Sequence, residues 1–236
     1  MTEAFRKDTT RTIRKTLNRF CSILLIVALG VGFFAGVRAT GNDMRDTTSD
    51  YYTEYNSMDV KLLSSLGFSE KDVAAVQTVS GVKQVYAGKF VDCLTLCHDN
   101  FLTRVFSLPQ HPDSPETMNR LRVLEGRLPE AADECAIDQN VTDKYGFRVG
   151  QTLTLSPADP LDDLENDLEN TVYTIVGMVN SPMYVDMTRR GSTTVGDGSL
   201  DAYIYVPEEN FTAEYYTELY VTAEGSDALN CYTDEY

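Results

Sequence analysis

The chain has 236 residues and a formal net charge of −16, because 36 acidic side chains outnumber 20 basic ones. This acidity argues against a nucleic-acid partner, since binding a polyanion needs a basic surface. Hydrophobic residues make up 42% of the sequence, enough for the core of one or two folded units.

Residues 1–19 are predicted to form a cytoplasmic, basic, amphipathic segment, with six basic and two acidic side chains. An N-cap is predicted at 8–10, after which Ile13, Leu17 and Phe20 would share one face of a helix. Such a helix suits the headgroup surface of a bilayer. An unstructured basic tail is the alternative.

An uncharged run of 18 residues from Phe20 to Val37 follows. As a helix it would extend roughly 27 Å, close to the thickness of a bilayer core, so we predict a transmembrane helix over 20–38. Basic residues before the span favour a cytoplasmic N-terminus. Residues 39–236 carry a net charge of about −21 and are predicted to lie outside the cell membrane.

Two other interpretations of the apolar run remain open. A cleaved signal peptide has a shorter apolar core and a small-x-small site, for which Val37-Arg38-Ala39 is a poor candidate. A buried helix of a soluble protein would not be apolar on every side.

Ala28, Gly32 and Gly36 are spaced four residues apart and form a stripe of small residues along the predicted span. Small residues let a second helix approach closely, so these three are candidates for helix packing. The alternative is that glycine is simply common in membrane helices. A partner helix would come from another chain or from a further part of this protein.

The remainder is predicted to be α+β, with a helical stalk over 39–56, a mixed domain over 57–226 and the start of a helix over 227–236. A capping box at Ser69–Asp72 begins a helix that carries Val73, Val76 and Val79 on one face and stops at Gly81. A second short helix is expected at 140–145. Alternation and β-branched content predict strands at 58–62, 82–85, 90–97, 101–108, 134–138, 151–155, 172–180, 203–206 and 219–222.

No sequence motif for catalysis, cofactor binding or metal binding is present: the chain lacks a P-loop, an HExxH, a CxxC and a G-x-S-x-G elbow. We therefore predict no catalytic, cofactor or metal residues and no enzymatic activity. His98 and His111 are expected in solvated loops. The acidic run 159–169 is interpreted as a short amphipathic helix, with weak calcium binding as the alternative, and 189–198 as a flexible loop, with an anion cradle as the alternative.

The five cysteines show no disulfide framework. Cys93 and Cys97 lie four residues apart on one predicted strand, about 13 Å between Cα atoms, too far for a bridge. Buried free thiols are expected, and one bridge between distant cysteines is the alternative.

Three stretches resemble FtsX-like ABC transporter permeases, the family that includes MacB-type exporters. They are RKTLNRFCSILLIVALGVGFFAGVRATGNDM at 14–44, RVLEGRLPEAADECAIDQNVTDKYGFRVGQTLTL at 122–155 and YTIVGMVNSP at 173–182. The second is similar to the MacB-like periplasmic core domain. Members from Gram-positive bacteria of the Firmicute type are the most similar.

The resemblance implies an N-terminal fragment of a permease, whose other helices follow later in the family. It implies a cytoplasmic ABC ATPase subunit, a second permease copy or paralogue, and the bilayer as partners. ATP hydrolysis would then be coupled to export or to action on an extracellular substrate. A membrane-anchored receptor or adaptor that binds a peptide, lipid or cell-wall component is the second hypothesis, and a surface hydrolase is the third.

Overall fold

The computed structural model describes residues 2–159, 163–186 and 190–236. The chain divides into two compact units, 1–49 and 50–236. The first holds α1 (Thr2–Lys15) and most of α2 (Leu17–Glu54), and the second begins with the last turn of α2.

Helix α1 begins at Thr2, so the N-cap predicted at 8–10 is wrong. The hydroxyls of Thr9 and Thr10 instead donate to carbonyl oxygens four residues earlier, each at 2.8 Å. A hydroxyl that bonds back in this way is satisfied inside a helix and does not start one. The face predicted to be shared by Ile13, Leu17 and Phe20 is divided between two helices, because α1 ends at Lys15 and α2 begins at Leu17. The side chain of Ile13 lies outside the described part.

Helix α2 has an 18-residue window with a mean hydropathy of 2.5, none of it buried within the protein. By length and composition it is the one helix of the described residues that could cross a membrane. Leu29 and Phe33 are about three-quarters exposed, at 75% and 73%. Large apolar side chains on every side of a helix are stable in lipid, where they need no protein partner.

The described residues of the second unit form ten strands and two more α-helices. Their bounds are β1 (Val60–Phe68), α3 (Glu70–Gln77), β2 (Val82–Gly88), β3 (Phe90–Thr95), β4 (Phe101–Leu108), β5 (Arg122–Gly126), β6 (Glu134–Asp138), α4 (Gln139–Tyr145), β7 (Thr152–Pro157), β8 (Val172–Asn180), β9 (Ala202–Pro207) and β10 (Tyr216–Ala223). The α+β prediction is confirmed, and β4, β6 and β8 have the predicted bounds.

The larger sheet closes on itself. Its strands run in the order β5-β8-β6-β9-β4-β3-β7, and β7 also pairs with β8. The ring β7-β3-β4-β9-β6-β8 is therefore a six-stranded barrel. Strand β8 pairs with β7 through its first residues and with β5 through its last, so β5 extends the sheet beyond the ring.

Alternate residues of the six strands fill the barrel. This core includes Cys93, Phe101, Val105, Cys135, Ile137, Leu153, Tyr173, Ile175 and Ile204. Two buried hydroxyls inside it, on Thr95 and Thr103, hydrogen-bond each other at 2.6 Å, so neither is left unsatisfied. Residues of the opposite parity, including Phe106, Tyr203 and Tyr205, form a second apolar cluster on the outer face.

The smaller sheet, β1-β10-β2, is antiparallel and carries α3. The predicted capping box is confirmed: Ser69 and Asp72 form reciprocal hydrogen bonds at the start of α3, and the Ser69 amide donates to the Asp72 carboxylate. The helix ends at Gln77, however, so Val79 lies beyond it and is exposed. Lys89 connects β2 to β3 and so carries the chain from the small sheet to the barrel.

Three other predictions differ from the structure. The chain after Asp227 forms a 3₁₀ turn (Ser226–Ala228) and further turns, not an α-helix. The described part of the acidic run, residues 159 and 163–169, forms one 3₁₀ turn (Leu164–Asn166), in which Leu164 packs in the barrel core, while Leu161 lies outside the described residues. Strand β5 was not predicted, because all its residues are exposed and it shows no buried face.

Candidate functional site

The candidate packing residues Ala28, Gly32 and Gly36 lie on α2 and are all exposed. A methyl group added at either glycine would meet nothing within 4 Å in the described structure. The structure therefore places them where a second helix has room to approach. Their use in helix packing stays a prediction.

The end of α2 is held by a loop of the second unit. Helix ends leave carbonyl groups without helical partners, and here three consecutive carbonyls find donors in one place. The Arg120 Nη2 donates to the Glu54 carbonyl at 2.7 Å, and its own amide donates to the Tyr55 carbonyl at 2.9 Å. The amide of Asn119 donates to the Asn56 carbonyl at 2.8 Å.

Side chains reinforce this attachment. Asn56, which has a left-handed backbone, donates through Nδ2 to the Glu116 carbonyl at 3.0 Å. The Oδ1 of Asn119 accepts from the amide of Met58 at 3.0 Å. The Arg120 guanidinium lies 5.3 Å from the centre of the Tyr55 ring, and a cation near a helix C-terminus is stabilised by the helix dipole. We call residues 116–120 the clasp.

The clasp is continuous with the wall of a cleft. This cleft has a volume of about 930 Å³. Its apolar lining includes Leu108, Pro109, Pro112, Leu128, Pro129, Pro207 and Phe211. Its charged lining is Lys89, Asp113, Arg127, Glu130, Glu208 and Glu209. Residues 109–120 are therefore a single segment that forms the cleft wall at one end and holds α2 at the other.

The opposite wall of the cleft is fixed by a close crossing of two backbones. A Cβ at Gly126, whose φ is +74°, would lie 2.1 Å from the Val176 carbonyl oxygen. A Cβ at Gly177 would lie 2.1 Å from the Arg127 carbonyl oxygen. Only glycine fits at both positions, because no side chain can be that close to a backbone oxygen. The Arg127 amide donates to the Val176 carbonyl at 3.0 Å across this crossing.

The loop after Gly126 is held by a carboxylate. Arg127 donates to Glu134 through two guanidinium nitrogens, at 2.7 and 2.5 Å. Glu134 also accepts from the amides of Glu130 and Ala131. These hydrogen bonds, first of all those from Arg127, lower the pKa of Glu134 to about 2. The Glu125-Gly-Arg-Leu-Pro129 motif thus forms one wall of the cleft, and hydrogen bonds to Glu134 hold that wall in place.

The described part of the predicted surface loop 189–198 is largely exposed, but its first described side chain, that of Arg190, is buried. Arg190 is 5% exposed, and its Nε donates to the fully buried Asp138 at 2.5 Å. The guanidinium lies between 5 and 6 Å from the rings of Tyr184 and Tyr203. The amides of Thr193, Gly198 and Leu200 donate to carbonyls within the loop, so they are not turned outward to cradle an anion. Arg189 lies outside the described residues.

Both histidines are exposed, and two of the five cysteines are buried while Cys21, Cys97 and Cys231 are partly exposed. His98 and His111 are exposed in loops. Cys93 and Cys135 are buried thiols, and burial raises the pKa of both, that of Cys135 to about 12. No disulfide joins the cysteines of the described chain. Over 2–159, 163–186 and 190–236, no group of three His, Cys, Asp or Glu side chains could hold a metal ion.

Residues 22–230 match the family described as the MacB-like periplasmic core domain. The chain belongs to this family. The match covers most of α2 and nearly all of the second unit, so in this MacB-like chain the clasp, the cleft and the barrel are all parts of the family domain. No curated protein gives a significant match.

Three solved structures show low similarity to this chain. The extracellular domain of the noncanonic ABC-type transporter YknZ from Gram-positive bacteria is 16% identical, with a TM-score of 0.40 over 70% of this chain and 77% of that one. The periplasmic region of MacB from Actinobacillus actinomycetemcomitans is 11% identical, with a TM-score of 0.38 over 70% and 67%. A domain of a putative permease from Porphyromonas gingivalis is 17% identical, with a TM-score of 0.37 over 67% and 70%.

Sequence reasoning missed the clasp and the cleft. The contacts of Asn119 and Arg120 join positions more than 60 residues apart, and no local pattern encodes them. The one available signal was the type of residue at positions 56 and 119. Asparagine tolerates the left-handed backbone that both adopt, with φ values of +47° and +54°.

Proposed function

We propose that this chain is the first membrane-spanning helix and the extracytoplasmic domain of an ABC transporter permease. It couples ATP hydrolysis by a cytoplasmic ABC ATPase subunit to export, or to action on an extracellular substrate or partner. It works with a second permease copy or a paralogue as a dimer. Its role is non-enzymatic.

The observation that carries this proposal is the attachment of α2 to the cleft wall through one segment. Residues 109–120 hold the carbonyls at the end of α2 and also form part of the cleft. A displacement of the helix end would pull on backbone hydrogen bonds, and those bonds lead directly to the cleft wall. Family membership adds that such domains occur in transporter permeases.

The proposed sidedness rests on charge. The segment before α2 is basic, and the domain after it is strongly acidic. Basic residues next to a span are retained in the cytoplasm, which puts the N-terminus inside and the domain outside the cell membrane.

Protease protection tests the sidedness. External protease added to intact cells that express the chain should degrade residues beyond 40 and spare a tag at the N-terminus. Survival of the domain in intact cells, with digestion only after lysis, would contradict the proposal.

Copurification tests the coupling. An ABC ATPase subunit should copurify with the full-length protein from mild detergent, and ATP hydrolysis by the complex should fall when Arg120 is replaced by Ala. A receptor or adaptor is the second candidate, favoured by the open cleft. Repeated purification without an ATPase would support it over the permease.

A further inference from the structure

Among the described residues that line the cleft, hydrogen-bond acceptors are present but both basic side chains are already in ion pairs. Both of its basic side chains are already neutralised: the Lys89 Nζ lies 3.8 Å from Glu208, and Arg127 is paired with Glu134. Three exposed carboxylates around the cleft, Asp113, Glu130 and Glu209, make no ion pair with any described residue. An anionic ligand would meet only repulsion from these groups.

The apolar surface between these carboxylates is likewise poor in hydrogen-bond donors. Four of the lining residues are prolines, at positions 109, 112, 129 and 207. Proline has no amide hydrogen, so it contributes an apolar ring and no backbone donor. Leu108, Leu128 and Phe211 complete the apolar lining. A matching ligand would supply N–H donors, positive charge and apolar side chains together.

We propose that the cleft binds a cationic, apolar-rich segment of another polypeptide in extended conformation. Its apolar side chains contact the exposed Val123 and the half-buried prolines at positions 109, 112 and 207, and its Lys or Arg side chains pair with Glu130 and Glu209. A metal ion is a poor alternative, since the described carboxylates of the cleft do not cluster as ligands do.

The cleft is prepared for such a ligand. Glu134 fixes the amides of Glu130 and Ala131, and the Gly126 crossing fixes the base of the same loop. The position of the Glu130 backbone is therefore set before anything binds, so binding orders little of the protein.

The test uses full-length protein in nanodiscs of phosphatidylcholine, with empty nanodiscs as the blank. Three fluorescent octapeptides serve as probes: alternating lysine and leucine, alternating glutamate and leucine, and alternating lysine and serine. We expect saturable binding of the lysine–leucine probe alone, weakened by added salt because exposed charge pairs are screened.

A charge-matched pair of variants locates the binding. The double variant Glu130→Lys/Glu209→Lys should lose affinity about tenfold or more, since two attractive pairs become repulsive. Glu165→Lys/Glu235→Lys changes the net charge equally at exposed positions outside the cleft and should keep the wild-type affinity.

Three results would overturn the inference. Equal losses in both double variants would mean that the probe binds the acidic surface at large, and absence of saturable binding would mean that the cleft is not a peptide site. Equal binding of the lysine–serine probe would show that apolar side chains of the ligand contribute nothing, contrary to the proposal. The assay contains no nucleotide and no ATPase, so its outcome is independent of the permease proposal.

Discussion

The crossing of β5 and β8 gives the sharpest prediction about this fold. In Gly126→Ala, the left-handed φ of +74° costs about 1 kcal/mol for a residue with a Cβ. The new methyl would also lie 2.1 Å from the Val176 carbonyl oxygen. Separating the two backbones breaks the hydrogen bond that the Arg127 amide donates to the Val176 carbonyl, which is worth about 1 kcal/mol. It also displaces packed strands at a cost of about 1–3 kcal/mol. We expect a total loss of about 3–5 kcal/mol of unfolding free energy.

Two matched glycines separate the causes. Gly177→Ala has the same 2.1 Å clash with a backbone oxygen but no positive φ, so it should lose about 2–4 kcal/mol. Gly81→Ala has a φ of +88° but no atom within 4 Å of the new Cβ, so it should lose about 1 kcal/mol. Loss of chain entropy in the unfolded state is shared by all three and cancels in the comparison.

Urea unfolding of the full chain in detergent measures these losses. Modification of the buried Cys93 and Cys135 thiols, located by peptide mapping and so separated from the partly exposed Cys21, Cys97 and Cys231, should report opening of the barrel. A loss in Gly126→Ala no larger than that in Gly81→Ala would refute the argument from the backbone crossing. If Gly126→Ala does not fold, Gly177→Ala still tests the clash.

Three further predictions concern charged side chains. Arg120→Ala should cost about 1–2 kcal/mol and speed hydrogen exchange at residues 50–56, because it removes the bond to the Glu54 carbonyl; unchanged exchange would contradict the clasp. The pKa of Glu134 is lowered to about 2 by Arg127, so the pair should stabilise the fold fully above the ordinary glutamate pKa of about 4.3 and lose that effect as pH falls towards 2. Arg127→Ala should therefore destabilise the protein at pH 7 and match wild type near pH 2, and a difference that persists in acid would contradict the assignment. Asp138→Ala should cost about 3–5 kcal/mol in urea unfolding, since it removes the carboxylate that faces the buried Arg190 guanidinium; a loss below 1 kcal/mol would show that water reaches Arg190.

Much of the fold was readable from local pattern. Strands β4, β6 and β8 alternate or are continuously apolar between turn residues, so their bounds follow from the sequence. The capping box at Ser69 fixes the start of α3 through atoms three residues apart. The errors arose where local pattern is silent: β5 has no buried face, and the chain after Asp227 forms turns whose contact with the domain, from the Tyr236 hydroxyl to Asp59, spans more than 170 positions.

The amino-acid sequence by itself determined that this chain has one apolar helix flanked by opposite charges and an α+β unit, because hydrophobicity, period and charge act over a few residues; the MacB-like type followed from the resemblance of three stretches to that family. Only the tertiary structure decided that β7 and β8 close the barrel, that Arg190 is buried against Asp138, and that Arg120 holds the end of α2. These contacts join residues from about 20 to more than 60 positions apart. Their partners are chosen by which surfaces meet when the sheets pack, and no local spacing records that choice.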